Sequence, residues 1–443
     1  MNTSSSISNP VTQAVAITAR RRIALRLLPF VFLVYVVNYI DRINVSFANL
    51  KMSGDLGLSD RVYGLGVGFF YISYVLFEIP GAIIAERWSP RKWIARIMIS
   101  WGIVTVLTGF IQNTTQFYLA RFLLGAAEAS FLPAMIVYLT RWFSLRDRSR
   151  ACACLFAALP VASLIGSPIA GAILPVNWLS LAGWRWLFIL EGVPAAVLGV
   201  VALFYLTERP AAARWLSSEE CRWISEELAA ERQAKNSIRQ PTILEAFRDR
   251  RVLMLAAVYA LVITGALANI YWIPTFLKRL SGASIASVTS LVMIPAFLGL
   301  VGTLSNGWHA DRTGEHRWHS AAPLLAAGAL YFCIIAFRGN AAVAIACLLL
   351  GSGILYAFYP AFWSLPTMIL SDTAAAASFG LIVSVSQIGG VFSPYVIGYL
   401  NDKTHSLIPG FAFIAMMYFA AASLLLSLRV RRAYAQPAVQ VQC

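Results

Sequence analysis

Apolar segments long enough to cross a bilayer recur along the whole chain, and this recurrence restricts the fold more than any other feature. Examples lie within "RLLPFVFLVYVVNYI", "GLGVGFFYISYVLF" and "GVPAAVLGVVALFYL". A membrane-spanning helix needs about 20 predominantly apolar residues. Because 59% of the 443 residues are hydrophobic and only 12% are charged, the apolar excess cannot be buried in a soluble globular core. The sequence therefore predicts an all-α polytopic membrane protein.

The hydropathy pattern predicts twelve spans in two blocks of six. The predicted spans are 27–48, 62–85, 93–111, 116–140, 151–174, 187–206, 252–277, 284–306, 320–337, 341–370, 374–400 and 410–428. The domain organisation is then a tail (1–26), a first bundle (27–206), a linker (207–251), a second bundle (252–428) and a second tail (429–443). Ser217 and Glu220 have the spacing of a capping box, which predicts an amphipathic linker helix on the cytoplasmic face.

The net charge of +15 is interpreted as a topology signal. Most of the 35 Lys and Arg residues fall in loops and tails on one side, including Arg20 to Arg22 and "RWFSLRDRSR". Cytoplasmic loops carry such an excess, so we expect both termini in the cytoplasm and the protein in the inner membrane. No compact basic domain with interleaved aromatics remains for nucleic acid. No small-residue cleavage site follows the first span, which is expected to be retained.

Motifs for metal, nucleotide or disulfide chemistry are weak. The six cysteines have no metal-ligand pattern and are expected to be free thiols: Cys152, Cys154, Cys221, Cys333, Cys347 and Cys443. His309, His316 and His319 cluster without a secure zinc spacing. The glycines of "GLGVGFF" have no preceding strand and indicate close helix packing. We expect no cofactor and no metal.

The two halves of the chain repeat each other. "AERWSPRK" follows the second span and "GWHADRTGEHR" follows the eighth, so Glu86 and Asp311 lie 225 positions apart. "GSPIAG" in the fifth span and "FSPYVIG" in the eleventh place Pro168 and Pro394 226 positions apart. Two unrelated motifs with one offset indicate a duplicated six-helix unit, as in transporters whose halves rock around a midplane site.

Several motifs in the expected order are similar to those of one family. The acidic-Arg loops resemble the major facilitator superfamily, and "NYIDRINVSFA", "FEIP", "RFLLGAAEASFLPAMIVYLTRWF", "GWRWLFILEGVPA", "RWLSSEE" and "GGVFSPYVIGYL" resemble its anion:cation symporter family. This resemblance covers nearly the whole chain. It implies twelve helices in two bundles with pseudo-two-fold symmetry, and a monomer that imports a small organic anion with protons. Tartrate, phthalate, glucarate and galactonate permeases belong to that family, and the first half is most similar to the tartrate and phthalate types.

Few ionisable residues are predicted to lie well inside the spans. They are Asp41 and Arg42 in the first, Glu78 in the second, and Arg121 and Glu128 in the fourth. At 1.5 Å per residue, Asp41 and Glu128 lie about 21 and about 18 Å from the cytoplasmic helix ends, which is a similar depth. Each such charge costs about 2.5–3.5 kcal/mol at a helix centre, so we expect Asp41, Arg42, Arg121 and Glu128, whose charges sum to zero, to face one another or water.

These four charges suggest proton-coupled anion binding. If Asp41 and Glu128 take up protons, Arg42 and Arg121 leave the cavity positive, and a guanidinium fork suits a carboxylate. Proton binding and anion binding then favour each other. The resemblance implies the same roles for these positions. The alternative is a structural ion pair between helices one and four. Which of Asp41 and Glu128 is the primary proton carrier stays open.

Further site residues are implied by motif matching. Tyr39 and Tyr74 are candidate cavity residues, and Gln387 occupies a site where asparagine is common in the family. Four second-half residues are candidates for the opposite cavity wall: Asn269, Tyr271, Tyr359 and Trp363. Aromatic residues in such a chain also face lipid or pack helices.

The two cytoplasmic loops carry the predicted gating residues. On the family resemblance, Glu86 with Arg87 and Arg91, and Asp311 with Arg312, would form inter-helix ion pairs that latch an outward-open state. The alternative is simple orientation of the chain by positive charge.

Two other functions compete with symport. Exchange or export of an organic anion or drug would use the same fold. A non-transporting membrane receptor or enzyme is less well supported, because no nucleophile with a base and no metal site is evident, and because the polar linker of roughly 45 residues is too small for a convincing output domain.

Overall fold

The computed structural model describes residues 10–236, 249–337, 339–369 and 372–428. They are predominantly α-helical, with an isolated bridge between Trp178 and Leu181. The chain divides into two compact units. Among the described residues, the first unit contains 10–236, 273–278 and 283–293, and the second contains 249–272, 279–282 and 294–428 apart from the gaps.

The helices up to residue 236 follow the first six predicted spans and the linker. They are α1 (Pro10–Leu56), α2 (Asp60–Arg87), α3 (Pro90–Thr108), α4 (Thr114–Glu128), α5 (Phe131–Thr140), α6 (Leu145–Phe156), α7 (Ala158–Ile173), α8 (Gly183–Tyr205) and α9 (Ser218–Asn236). A short 3₁₀ turn, Pro210–Ala212, precedes α9.

The helices from residue 249 onward follow the last six predicted spans. They are α10 (Arg250–Ser281), α11 (Ile285–Thr313), α12 (His316–Ala336), α13 (Ala341–Ile354), α14 (Phe358–Ile369), α15 (Asp372–Ser386), α16 (Ile388–Thr404) and α17 (Ile408–Ser427). A 3₁₀ turn, Leu355–Ala357, joins α13 to α14.

The prediction of twelve spans is confirmed. Within the described ranges, eleven helical segments are long and apolar enough to cross a membrane. The remaining span is α3, which packs against α8 and carries Arg91, Lys92 and Arg96 near its start. The fourth, fifth, tenth and eleventh predicted spans are each interrupted, between α4 and α5, α6 and α7, α13 and α14, and α15 and α16.

The first helix is longer than the span predicted at residues 27–48. It begins at Pro10, so part of the predicted tail is helical. Its basic end contacts acidic side chains of the same unit: Arg20 pairs with Asp147 at 3.0 Å and Arg22 with Glu220 at 2.9 Å. Such partly exposed pairs contribute little stability each, about 0–1 kcal/mol. These pairs nevertheless provide acidic partners for the basic N-terminal end of α1.

Short polar residues begin several of the helices. The Ser59 hydroxyl accepts a hydrogen bond from the Val62 amide (3.3 Å), and the Asn113 side chain accepts one from the Gln116 amide (2.9 Å). Ser89 caps α3, with Pro90 at the first helical position, where a missing N–H has no cost. The loop after the second span is therefore a capped helix start.

The predicted capping box of the linker is confirmed. The Ser217 amide donates to Glu220 Oε2 (2.8 Å), and the Glu220 amide donates to Ser217 Oγ (3.2 Å). Cys152, Cys154, Cys221, Cys333 and Cys347 are free thiols. Linker residues 237–248, residues 1–9, the tail 429–443 and Cys443 lie outside the described residues.

Two glycines allow α3 and α8 to pack in backbone contact. A Cβ placed on Gly102 would lie 2.6 Å from the Gly192 carbonyl oxygen, and one placed on Gly192 would lie 2.7 Å from the Gly102 carbonyl oxygen. No side chain fits at this crossing without separating the helices. The contact brings Thr105 and Glu191, neighbours of these glycines in sequence, into the interior of the unit, where both are buried.

Replacing Gly192 with alanine is expected to destabilise the protein by about 1–3 kcal/mol, the usual cost of overpacking. Gly54→Ala is the matched control, because a Cβ on Gly54 meets no atom within 4 Å and the substitution should be neutral or slightly stabilising. The melting temperatures of the purified variants in detergent test this. Equal melting temperatures would mean that the α3–α8 contact is not tight.

Candidate functional site

Arg42 of α1 and Glu128 of α4 form a buried ion pair inside the first unit. Arg42 Nε donates to Glu128 Oε1 at 2.9 Å, and Arg42 Nη2 also contacts this oxygen. Asn38 Nδ2 donates to the same oxygen at 2.8 Å. Glu128 is 0% exposed, and its other oxygen, Oε2, has no hydrogen-bond partner among the described residues. The carboxylate therefore holds a cation on one oxygen and leaves the other unpaired.

Asp41, the neighbour of Arg42 in sequence, is held by neutral donors. Its Oδ2 accepts a hydrogen bond from the Thr105 hydroxyl of α3 (3.0 Å), and its Oδ1 accepts one from Asn44 Nδ2 (3.1 Å). Asp41 is 1% exposed. The two acids of the predicted set thus have different surroundings, because Glu128 binds an arginine and Asp41 binds a hydroxyl and an amide.

Arg121 lies two turns before Glu128 on α4 and is 0% exposed. None of its three guanidinium nitrogens has a hydrogen-bond partner within the described part of the chain. The Phe70 ring of α2 covers the guanidinium, with 4.8 Å between Arg121 Cζ and the ring centroid. A buried charge without partners is costly, and the guanidinium therefore has hydrogen-bonding capacity that the described residues do not use.

A glycine in α4 brings these charges close to α2. A Cβ on Gly125 would lie 2.1 Å from the Phe70 carbonyl oxygen, so only glycine permits the observed approach. Arg42 lies over the rings of Tyr74 (5.1 Å) and Phe70 (5.8 Å). The predicted cavity residue Tyr74 therefore contacts Arg42 and is buried, whereas Tyr39 on α1 is half-buried.

The fourth span breaks directly after Glu128. Ala129 leaves the helical conformation (ψ 142°), and Ser130 adopts a left-handed φ of 66° before α5 begins at Phe131. Trp93 Nε1 of α3 donates to the Ser130 hydroxyl at 3.0 Å. A helix C-terminus carries partial negative charge, which disfavours an ionised Glu128 at the end of α4. The positive charge of Arg42 offsets this effect. The ion pair and the helix break therefore lie at the same point of the fourth span.

Glu191 of α8 is an intramembrane acid that the sequence reasoning missed. It is 9% exposed, and one of its oxygens, Oε2, has no hydrogen-bond partner among the described residues. The signal was present in "LFILEGVPA", an acid between apolar residues inside the sixth span. With Glu191 included, the buried set contains three acids and two arginines, so its charges sum to −1 when all are ionised.

Two residues predicted for the second cavity wall, Asn269 and Tyr271, are buried in the second unit. Asn269 Nδ2 donates to Ser352 Oγ (3.0 Å), and the Tyr331 hydroxyl donates to Asn269 Oδ1 (2.6 Å), so Asn269 belongs to a buried internal network. Tyr271 is also buried.

Tyr359 and Trp363 pack around Tyr259, whose ring centroid lies 6.4 and 4.9 Å from theirs. Both are half-buried. Gln387 is half-buried at the junction of α15 and α16, where its carbonyl oxygen accepts a hydrogen bond from the Gly390 amide (2.9 Å). Tyr359 and Trp363 are therefore brought together around Tyr259.

A family model for the Major Facilitator Superfamily matches residues 31–394. The chain belongs to this superfamily. A second family model, described as vacuole effluxer Atg22 like, matches residues 364–438. The superfamily match makes the fold the major facilitator fold of two six-helix bundles, and it makes the chain a multi-pass membrane protein with a transport function.

Individual relatives of this superfamily member carry transport names. A protein named "Putative tartrate transporter" from Agrobacterium vitis is 42% identical over 91% of this chain and 92% of its own length. A protein named "Quinolone resistance transporter" from Acinetobacter baumannii is 34% identical over 90% and 92%. The solved structure of a D-xylose-proton symporter has a TM-score of 0.72 at 14% identity, covering 92% of this chain and 98% of that chain, and supports the fold alone.

The loops with the superfamily's acidic-Arg pattern make other contacts than the predicted latch. Among the described residues, no ion pair involves Glu86, Arg87, Asp311 or Arg312. Arg141 Nη2 donates to the Glu86 carbonyl oxygen at 3.0 Å. Arg91 Nη1 donates to the Leu206 carbonyl oxygen at 3.3 Å, and Arg312 lies over the Trp308 ring at 5.4 Å. The latch of the outward-open state stays a prediction.

Proposed function

We propose that this major facilitator transporter takes up a small organic anion together with protons by alternating access. The observation that carries the proposal is Arg121, a buried guanidinium without a hydrogen-bond partner among the described residues. A carboxylate would supply the missing partner with two charge-assisted hydrogen bonds. Dicarboxylates such as tartrate, sugar acids and aromatic carboxylates fit this chemistry. The relative named as a tartrate transporter supports the same substrate class.

The proton step of the proposal is placed on Glu128. Its free oxygen, Oε2, is open to a proton, whereas Oε1 carries the Arg42 contact. Protonation removes the negative charge that holds Arg42, so Arg42 joins Arg121 in attracting the anion. The bound anion in turn stabilises the protonated acid, because linkage between two binding equilibria is reciprocal. Asp41, held by Thr105 and Asn44, is the second proton site.

The proposal also includes the membrane, the topology and the energy source of the transporter. We place the protein in the inner membrane as a monomer with both termini in the cytoplasm, as the distribution of Lys and Arg suggests. The proton gradient supplies the energy, without a cofactor or metal. Each net charge moved inward contributes about 2.3 kcal/mol per 100 mV. The half-buried Tyr359, Trp363 and Gln387 are proposed to select among anions by shape and neutral hydrogen bonds.

A second candidate function is exchange or export of an organic anion or drug. This alternative is supported by the relative named as a quinolone resistance transporter, which matches over 90% of this chain. Exchange would use the same arginines without net proton movement, and it would show itself as counterflow that does not depend on a pH gradient.

The deciding experiment is uptake of labelled carboxylates into proteoliposomes. Tartrate, a sugar acid and an aromatic acid are each tested with and without an inward proton gradient. We expect at least one of them to accumulate only when the gradient is present, and this accumulation to be lost when a protonophore dissipates the gradient. Equal uptake with and without the gradient, together with rapid counterflow, would instead establish exchange.

A further inference from the structure

Ser130, between α4 and α5, has a backbone conformation that is unfavourable for serine. Its φ of 66° lies in the left-handed region, and the residue is 0% exposed. A residue with a Cβ keeps such a conformation only when the surrounding structure determines it, and residues of this kind cluster at functional sites. At Ser130, contacts from two neighbouring helices supply that constraint.

Trp93 of α3 and Gly81 of α2 surround the Ser130 hydroxyl. Trp93 Nε1 donates to Ser130 Oγ at 3.0 Å. A Cβ on Gly81 would lie 2.2 Å from Ser130 Oγ and 3.5 Å from the Trp93 ring. Only glycine at position 81 therefore leaves room for the hydroxyl and its donor.

Pro133, at the third position of α5, explains why the fourth span breaks here. Proline has no N–H, and in a continuous helix its ring would clash with the carbonyl group four residues earlier, at Ala129. The Ser130 hydroxyl donates to this carbonyl oxygen instead. Pro133 therefore favours a break, and Ser130 with Trp93 determines the conformation of that break.

The break places Glu128 at the end of α4. Its Oε1 accepts hydrogen bonds from Arg42 Nε at 2.9 Å and from Asn38 Nδ2 at 2.8 Å. Both donors belong to α1, so these contacts require the end of α4 to keep one position relative to α1. Ser130 constrains that end two residues after the carboxylate.

We propose that Ser130, held by Trp93, is a positioning residue that places the Glu128 carboxylate against Arg42. Its role in transport rests on the proposed function, in which a proton on Glu128 releases Arg42. The placement itself is a property of the protein without substrate. It is therefore measurable by stability, separately from transport.

A double-mutant cycle in melting temperature tests the placement. Glu128→Gln should lower the melting temperature of the native protein, because it removes the ionic partner of Arg42. In a Ser130→Ala background this drop should shrink to about half or less, because alanine loses both hydrogen bonds and the ion pair is no longer aligned. In a Ser130→Gly background the drop should keep its full size, because glycine adopts a positive φ readily. Equal drops in all three backgrounds, or no drop in the native protein, would overturn the proposal.

Ser180→Ala is the matched control for the cycle. Ser180 also has a left-handed φ (61°), but it lies exposed between α7 and α8, so the drop caused by Glu128→Gln should be unchanged in that background. If Ser130→Ala does not fold, Trp93→Phe takes its place, because it removes the donor to Ser130 and keeps an aromatic ring. An undiminished drop in the Trp93→Phe background would then refute the placement.

Tartrate transport in proteoliposomes gives the second readout. In Ser130→Ala, gradient-dependent accumulation should fall while counterflow continues, and Ser130→Gly should restore accumulation. A purely structural role would lower accumulation and counterflow together, and unchanged accumulation in Ser130→Ala would refute the role in transport. If the native protein shows no gradient-dependent accumulation but the melting temperatures are as expected, symport fails and the placement of Glu128 stands.

Discussion

Replacing Arg121 with methionine is expected to abolish saturable carboxylate uptake and, at the same time, to raise the melting temperature of the empty protein. The buried guanidinium has no hydrogen-bond partner among the described residues, so its removal relieves a desolvation cost. A bound carboxylate would lose two hydrogen bonds to a charged group, each worth about 1.5–3 kcal/mol. Affinity should therefore fall by about two to four orders of magnitude. Uptake kinetics and thermal unfolding of the same preparation measure both effects.

Arg185 provides the contrasting control in the same unit. Its Nη1 donates to the carbonyl oxygens of Gly109 (3.0 Å) and Ile111 (2.8 Å). Arg185→Met should thus lower the melting temperature and leave the affinity for substrate unchanged. If Arg121→Met instead lowers the melting temperature and transports normally, Arg121 is a structural residue and the anion site lies elsewhere.

Hydropathy predicted the number of spans well because lipid imposes a nearly uniform requirement on every crossing helix. It predicted helix ends less well. The first helix continues from residue 27 back to Pro10, since a helix may extend into water where its arginines find acidic partners. The break at Ser130 was not predicted either. A serine with positive φ has no compositional signature, unlike glycine, and such a conformation is imposed by the surrounding packing.

The candidate site was predicted in part, and the reasons differ from residue to residue. Arg121 and Glu128 were placed on one face of a helix by their spacing of seven, and the structure places both on α4. Glu191 was not predicted as a site residue, because it lies near the start of the predicted sixth span and position along one span was the criterion. Its burial occurs beside the contact of Gly102 with Gly192, a tertiary relation between two helices that a count along one segment does not contain. Asn269 was likewise predicted from its residue type alone. Its hydrogen bonds with Tyr331 and Ser352 depend on the packing of other helices, which the sequence does not show.

Glu128→Gln is expected to eliminate proton-driven accumulation while counterflow exchange continues. Glutamine keeps an acceptor at Oε1 for Asn38 and Arg42 but cannot bind and release a proton at Oε2. If one proton moves with each anion, a gradient of one pH unit supports about tenfold accumulation, because each unit is worth about 1.36 kcal/mol. In the variant this ratio should fall to about one. Labelled tartrate in proteoliposomes, measured at equilibrium, gives the ratio directly.

Stability gives an independent check on the same substitution. Glu128→Gln removes the ionic partner of Arg42, and breaking a buried pair on one side costs about 3–5 kcal/mol at full burial. The cost should be smaller here because the Arg42 side chain is 19% exposed. The melting temperature should therefore fall, opposite to the effect of Arg121→Met. Glu208→Gln is the control, since Glu208 pairs with Arg141 away from this site and accumulation should persist.

The comparison with Asp41→Asn decides which acid carries the coupled proton. Asp41 is bound by Thr105 and Asn44, so its neutralisation leaves the Arg42–Glu128 pair in place. If accumulation fails in Glu128→Gln and is merely shifted in pH in Asp41→Asn, coupling passes through release of Arg42. The reverse result would assign the proton to Asp41 and leave the ion pair a brace between α1 and α4. Accumulation that survives in both variants would mean that these charges serve structure or anion exchange, and the symport mechanism would fail.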